Sequence, residues 1–209
     1  MTARIGGLYA VTPDLADTEL LCRKVEAALA GGAKILQYRN KTTSPELRRE
    51  QAARLQALCR KRGVPFIVND DIELAVALGA DGVHLGKDDG PARAARDRIG
   101  ESMLLGISCY DSLARADAAL AEGADHIAFG AAFPSRVKPN AVHASAALFA
   151  QARARYRVPI VAIGGITVDN APALIAAGVD AIAVISALFD APDVEHAASS
   201  FTALFSRPV

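Results

Sequence analysis

Short apolar runs alternate with amphipathic stretches along the whole chain. The apolar runs fall at residues 7–11, 35–38, 66–68, 82–85, 104–107, 126–129, 160–163 and 181–184. Most are nearly all apolar and too short to be helices. Parallel strands read this way when helices cover one face and a barrel interior buries the other. The stretches between them carry helical stripes and helix punctuation. Leu21, Val25, Ala28 and Leu29 lie on one face, and Gly31 closes that helix. Ser44-Pro45-Glu46 starts the next with a cap, a proline at the first helical position and an acid near the positive end; Gly63 stops it. Thr167 to Asn170 predicts a further helix start. The phrases GADG (79–82), GADH (123–126) and GVDA (178–181) each read as helix stop, turn residue and new strand.

Eight strands joined by helical crossovers imply parallel pairing. The α/β class follows, and the expected architecture is a single (βα)8 TIM barrel over residues 1–209. An open doubly wound sheet is the competing arrangement. The barrel is preferred because polar residues gather at the C-terminal end of strand after strand, and in a barrel those ends share one rim where chemistry sits. No composition shift or linker marks a second domain.

Composition narrows the partners. Apolar residues make up 52% and charged residues 22%, and the formal net charge is zero. A nucleic-acid or anionic-membrane surface is therefore not expected. No apolar stretch approaches the roughly eighteen residues of a membrane span, and the first residues are not expected to form a signal peptide. Cys22, Cys59 and Cys109 are odd in number and widely spaced, which argues against a disulfide framework or zinc site and fits a reducing, cytoplasmic setting. A homo-oligomer is compatible with all of this.

The rim supplies the candidate chemistry. After the second strand, QYRNK (37–41) places Gln37, Arg39 and Lys41 on one side, as a phosphate-binding set or as a solvated strand end. After the third and fourth strands come Asn69-Asp70-Asp71 and Lys87-Asp88-Asp89. Two acidic clusters on neighbouring strand ends can hold Mg²⁺, which takes few carboxylates and shares its other positions with substrate phosphates. The plainer alternative is helix capping, favoured for Asp71 and open for Asp88 or Asp89. Ser108 is a rim hydroxyl or a cap. The loop after the sixth strand holds Ser135, Arg136 and Lys138 between two prolines, either a phosphate-seeking loop or an exposed basic one. Gly164 and Gly165 open a helix after the seventh strand, and Ile185-Ser186 follow the eighth, where barrels often bind phosphate. His84 and His126 read as packed, hydrogen-bonded core residues, and His143 and His196 as solvated helical ones. No spacing suggests a nucleophile–histidine pair, so no covalent catalysis is assigned.

Taken together, QYRNK (37–41), IVNDD (67–71), GADGVHLGKDD (79–89), GIS (106–108), FPSRVKP (133–139), AIGGIT (162–167) and AVISAL (183–188) resemble the motifs of thiamine-phosphate synthases, over nearly the whole chain. That family joins 4-amino-2-methyl-5-hydroxymethylpyrimidine diphosphate to hydroxyethylthiazole phosphate, with Mg²⁺ and release of diphosphate. The resemblance implies that Gln37, Tyr38, Arg39, Asn40, Lys41, Asn69, Ser108 and Lys138 bind the pyrimidine diphosphate. It implies Ser135, Arg136, Val137, Gly165, Ile185 and Ser186 for the thiazole phosphate, and Asp70 and Asp89 for the metal. Lys138, Ser108, Arg39 and Lys41 would stabilise the leaving diphosphate. The chain departs from the family at Val137, where a second hydroxyl is usual, and at Lys87, where a neutral residue is usual. Two rivals are a thiazole tautomerase-like paralogue and a non-catalytic sensor of a phosphorylated ligand. The tautomerase does not need the metal acids or the basic set present here.

Overall fold

The computed structural model describes residues 5–134 and 143–206. Eight parallel strands close in sequence order into one barrel: β1 (Gly7–Val11), β2 (Ile35–Tyr38), β3 (Phe66–Asn69), β4 (Gly82–Leu85), β5 (Leu104–Tyr110), β6 (His126–Gly130), β7 (Ile160–Ile163) and β8 (Ala181–Val184). The helices are α1 (Thr18–Ala30), α2 (Pro45–Arg62), α3 (Ile72–Leu78), α4 (Ala92–Ile99), α5 (Leu113–Ala121), α6 (Ala146–Arg155), α7 (Ala171–Ala176), the short α8 (Ser186–Phe189) and α9 (Val194–Ala203). Among the described residues no helix is long and apolar enough to cross a membrane.

Strand alternation divides the apolar residues into two cores. Leu8, Leu36, Val83, Leu105, Ile127 and Ile182 face outward and meet the buried stripes of the helices. Tyr9, Val11, Ile35, Ile67, Leu104 and Val161 face inward and fill the barrel. The expected punctuation is in place. Ser44 caps α2 by accepting from the Leu47 N–H, and Gly63 ends that helix in the left-handed conformation that a glycine adopts without strain. Asp71 caps α3, accepting from the Leu74 N–H at 2.9 Å.

Several boundaries differ from the expectation. β5 continues through Ser108 to Tyr110, with a register shift between those two residues, so Ser108 lies within the strand and caps nothing. The helix after β7 begins only at Ala171, because Thr167 and Asn170 close a turn on each other first. Neither Asp88 nor Asp89 caps α4; Pro91 occupies that position with no side-chain bond. His143 precedes α6 in an irregular segment.

The three Gly-x-Asp phrases do more than end helices. Asp81, Asp125 and Asp180 each turn back on the preceding strand of the barrel. Their carboxylates accept from the N–H of Phe66, Leu105 and Ile160 at 2.7–2.8 Å. Their own N–H groups donate to the carbonyls of those same three residues. Arg96 backs Asp125 at 2.6 Å and also donates to the carbonyls of Gly100, Met103 and Gly123, its side chain only 6% exposed. Arg153 backs Asp180 in the same way. Asp125→Ala leaves both a strand N–H and a buried guanidinium short of a partner. It is expected to lower unfolding stability by about 2–3 kcal/mol in urea titrations. A change under about 0.5 kcal/mol would refute the clamp.

Candidate active site

The rim is assembled from short loops that follow each strand. After β1, Thr12 is fully buried, and its hydroxyl both donates to the Arg39 carbonyl and accepts from the Arg39 N–H, each at 2.8 Å. This ties the start of the β2 loop to the β1 loop. Asp14 then receives the Arg39 guanidinium through both carboxylate oxygens, at 3.0 and 3.1 Å, and the Lys41 N–H at 2.8 Å. Arg39 is therefore held at the rim by an acid, its side chain 22% exposed. The sequence reading missed Thr12 and Asp14. The signal was there: both lie within three residues of a strand end, the criterion applied to the other loops.

Lys41 bridges to the next loop, its ammonium 2.9 Å from Asp70. Asp70 has a φ of 64°, in the left-handed region that costs a non-glycine residue strain. Its N–H bonds the His84 carbonyl at 2.9 Å, which ties the turn to β4. Asp89 accepts from the Gly86 N–H at 2.7 Å. Loss of solvent around Asp89, followed by the neighbouring Asp70 carboxylate, raises its pKa against the pull of the Gly86 N–H and Lys41. Two acids that crowd one another beside a single ammonium form a site that favours added positive charge. Asn69 ends β3 beside them, half-buried. Lys41, Arg48, Asn69 and Asp70 line a crevice there.

Tyr38 and Asn40 are placed differently from the expectation. The Tyr38 ring turns outward into the strand–helix layer, and its hydroxyl donates to Gln51 Oε1 at 2.9 Å. The Asn40 amide donates to the Leu15 carbonyl and to Gln51, and its oxygen accepts from Thr42. Gln51, fully buried on α2, also donates to the Leu15 carbonyl and is the hub of this network. Both residues brace the loop that presents Arg39 and Lys41. Gln37 points inward, where its amide donates to the Tyr9 hydroxyl at 3.2 Å.

Ser108 lies inside the barrel mouth, 2.9 Å from His84 Nε2. Across the mouth, the β6 loop runs as an extra rung against the β7 loop: Ala132 donates to the Ile163 carbonyl and Phe133 to that of Gly164. The glycine pair permits this approach. A Cβ on Gly165, whose φ is 65°, would lie 2.6 Å from the carbonyl oxygens of Phe133 and Pro134. Asn170 fixes the turn by donating to the Gly165 carbonyl. Ile185 precedes α8, and Ser186 is its first residue. The structure thus gathers Gln37, Arg39, Lys41, Asn69, Asp70, Asp89, Ser108, Gly165, Ile185 and Ser186 on one end of the barrel. Ser135, Arg136, Val137 and Lys138 lie outside the described residues.

This arrangement has relatives. The family described as Thiamine monophosphate synthase matches residues 8–188. A thiamine-phosphate synthase of Azoarcus sp. is 52% identical over 206 residues, covering 99% of this chain and 100% of the relative. One from Thiobacillus denitrificans is 54% identical, covering 96% and 95%. The solved structure of thiamine phosphate pyrophosphorylase from Pyrococcus furiosus superposes with a TM-score of 0.87 at 34% identity, covering 96% of this chain and 95% of that one. With a full-length match in sequence and the same barrel in space, the chain belongs to the thiamine monophosphate synthase family.

Proposed function

We infer that this chain joins an aminopyrimidine methyl diphosphate to a hydroxyethylthiazole phosphate, releasing diphosphate and yielding thiamine phosphate. One observation carries the reading: the facing carboxylates of Asp70 and Asp89 share a rim with Lys41 and Arg39, across the barrel mouth from the Gly165 turn. That layout suits two substrates, one with a metal-bound diphosphate at one side and one with a monophosphate at the other.

Among the described residues no group of three or more His, Cys, Asp or Glu side chains could hold a metal ion. A pair of acids nonetheless suits Mg²⁺, which keeps waters and takes phosphate oxygens for its remaining positions. Asp70 and Asp89 would hold it, and bound there it would neutralise charge on the diphosphate. Arg39, Lys41 and Lys138 bind the diphosphate oxygens, and Ser108 donates a further hydrogen bond. The bond between the methylene carbon and the diphosphate oxygen breaks early, its electron pair leaving with the oxygen. The electron-rich aminopyrimidine spreads the positive charge. The thiazole nitrogen, its phosphate held by Ser135, Arg136, Val137, Gly165, Ile185 and Ser186, then donates its lone pair to that carbon. This nitrogen has no proton to lose, so no general base is required. Catalysis consists of charge stabilisation at the leaving group together with positioning. A cytoplasmic setting is supported by the three cysteines, all buried free thiols.

The test is to mix the purified protein with both substrates and Mg²⁺, with and without chelator. Equal amounts of thiamine phosphate and diphosphate are expected, and the chelator abolishes both. Thiazole isomerisation without coupling would replace this reading by the tautomerase. Binding of the thiazole phosphate without turnover would replace it by the sensor.

A further inference from the structure

Two histidines occupy the barrel interior just beneath the rim. His84 on β4 and His126 on β6 flank Gly106 on β5 in register, and both are buried. A Cβ on Gly106 would lie 2.2 Å from His126 Nε2 and 2.6 Å from His84 Nδ1, so the two rings fill the space that a side chain there would take. The ring centroids are 5.8 Å apart. His84 Nε2 reaches the Ser108 hydroxyl at 2.9 Å, while His84 Nδ1 and both His126 nitrogens are buried with no hydrogen-bond partner.

The geometry points to His84 as the positioning residue for Ser108: its Nε2–H donates to Ser108 Oγ and leaves the serine proton free to face an anionic substrate oxygen at the rim. The alternative tautomer would use the serine proton on His84 Nε2 and leave the Nδ1–H buried beside Gly106 with no acceptor. An unpaired buried N–H is costlier than an unpaired ring lone pair. At His84 the Ser108 bond and the unpartnered Nδ1 decide which ring nitrogen carries the proton. His126 closes the space behind the His84 ring. This inference rests on the proposed reaction, in which Ser108 meets the diphosphate.

Kinetics and magnetic resonance test it separately. His84→Met is expected to lower kcat/KM for the pyrimidine diphosphate about 10- to 100-fold, with KM for the thiazole phosphate unchanged. His84→Gln, which keeps an N–H within reach of Ser108, is expected to restore most of that loss. In a Ser108→Ala background the same His84→Met change should cost less than about twofold, because the two act as one unit. An equal loss in both backgrounds would show a merely structural role and overturn the proposal. Nitrogen-15 spectra of the histidine rings in the wild-type protein need no activity. They should show the Nε2–H form at His84; the Nδ1–H form overturns the proposal even where turnover is normal. Absence of thiamine phosphate with the Nε2–H form present would instead fault the reaction assigned above.

Discussion

Asp70→Asn and Asp89→Asn should each lower turnover about 10²- to 10³-fold while leaving the fold intact, the range seen when one preorganised charge-stabilising contact is removed. The two acids sit where opposite demands meet. Asp89 is held by the Gly86 N–H, and Asp70 by Lys41, on a backbone strained at φ 64°. Asparagine still offers an oxygen to the Gly86 N–H. The Lys41 side chain is 55% exposed and depends little on Asp70 for stability. Removing one of two crowded carboxylates also relieves their repulsion. The melting temperature should therefore hold or rise as activity falls, because sites arranged for function often cost stability. The check is an initial-rate titration with Mg²⁺ alongside thermal unfolding. Each variant should need more Mg²⁺ for half-maximal rate. Unchanged rate and Mg²⁺ dependence in both variants would remove the metal from these residues.

Lowering the pH from 7 to 5 should cost about 4 kcal/mol of folding stability, roughly half from each buried histidine. Burial pulls His84 from the ordinary 6.5 down to about 4, opposed by the Asp89 charge. It pulls His126 down to about 3, helped by His84. Tyr9 is the other titratable ring beside them, and burial pushes its phenol upward, so it stays neutral throughout. The unfolded chain takes up both protons as the pH passes 6.5, whereas the folded chain refuses them until about 4 and 3. The unfolded state thus binds more protons across this window, and stability is present above 6.5 and declines as the pH falls. Urea unfolding at several pH values measures the slope. His126→Leu removes one proton site and should reduce the loss by about half. It also exchanges two unpartnered nitrogens for apolar atoms. A slope identical to wild type would mean that His126 takes up its proton within the folded state.

Much of this molecule could be read from residue order. The eight strands and the caps at Ser44 and Asp71 follow from local spacing, which reports what a residue meets a few positions away. Membership of the rim was equally legible, because every strand end lands on it. What escaped depended on partners distant in the chain. Arg39 and Asp14 are 25 residues apart, and nothing local announces that the arginine is clamped. Tyr38 and Asn40 lie in the same pentapeptide as Arg39, yet Gln51 draws them into the helix layer. The histidines were expected to be packed and hydrogen-bonded. They are packed, but His126 makes no hydrogen bond. Only the position of Gly106 between two neighbouring strands explains how both rings fit. Gly164 and Gly165 were read as an opening for an anion, and nothing local announced that a Cβ at either would also run into the β6 loop.

The aspartate clamps also describe how the barrel is put together. Asp81 stitches β4 to β3, Asp125 stitches β6 to β5, and Asp180 stitches β8 to β7. The stitches recur at every second strand, so the repeating unit is a two-strand, two-helix module rather than a single strand and helix. Lys34, at the matching place before β2, keeps the backbone bond to Leu8 without a carboxylate. The first module is fastened instead at its other end, where Thr12 and Asp14 bond the backbone and guanidinium of Arg39, so the ring of eight holds three modules pinned at the strand starts and one pinned at the rim.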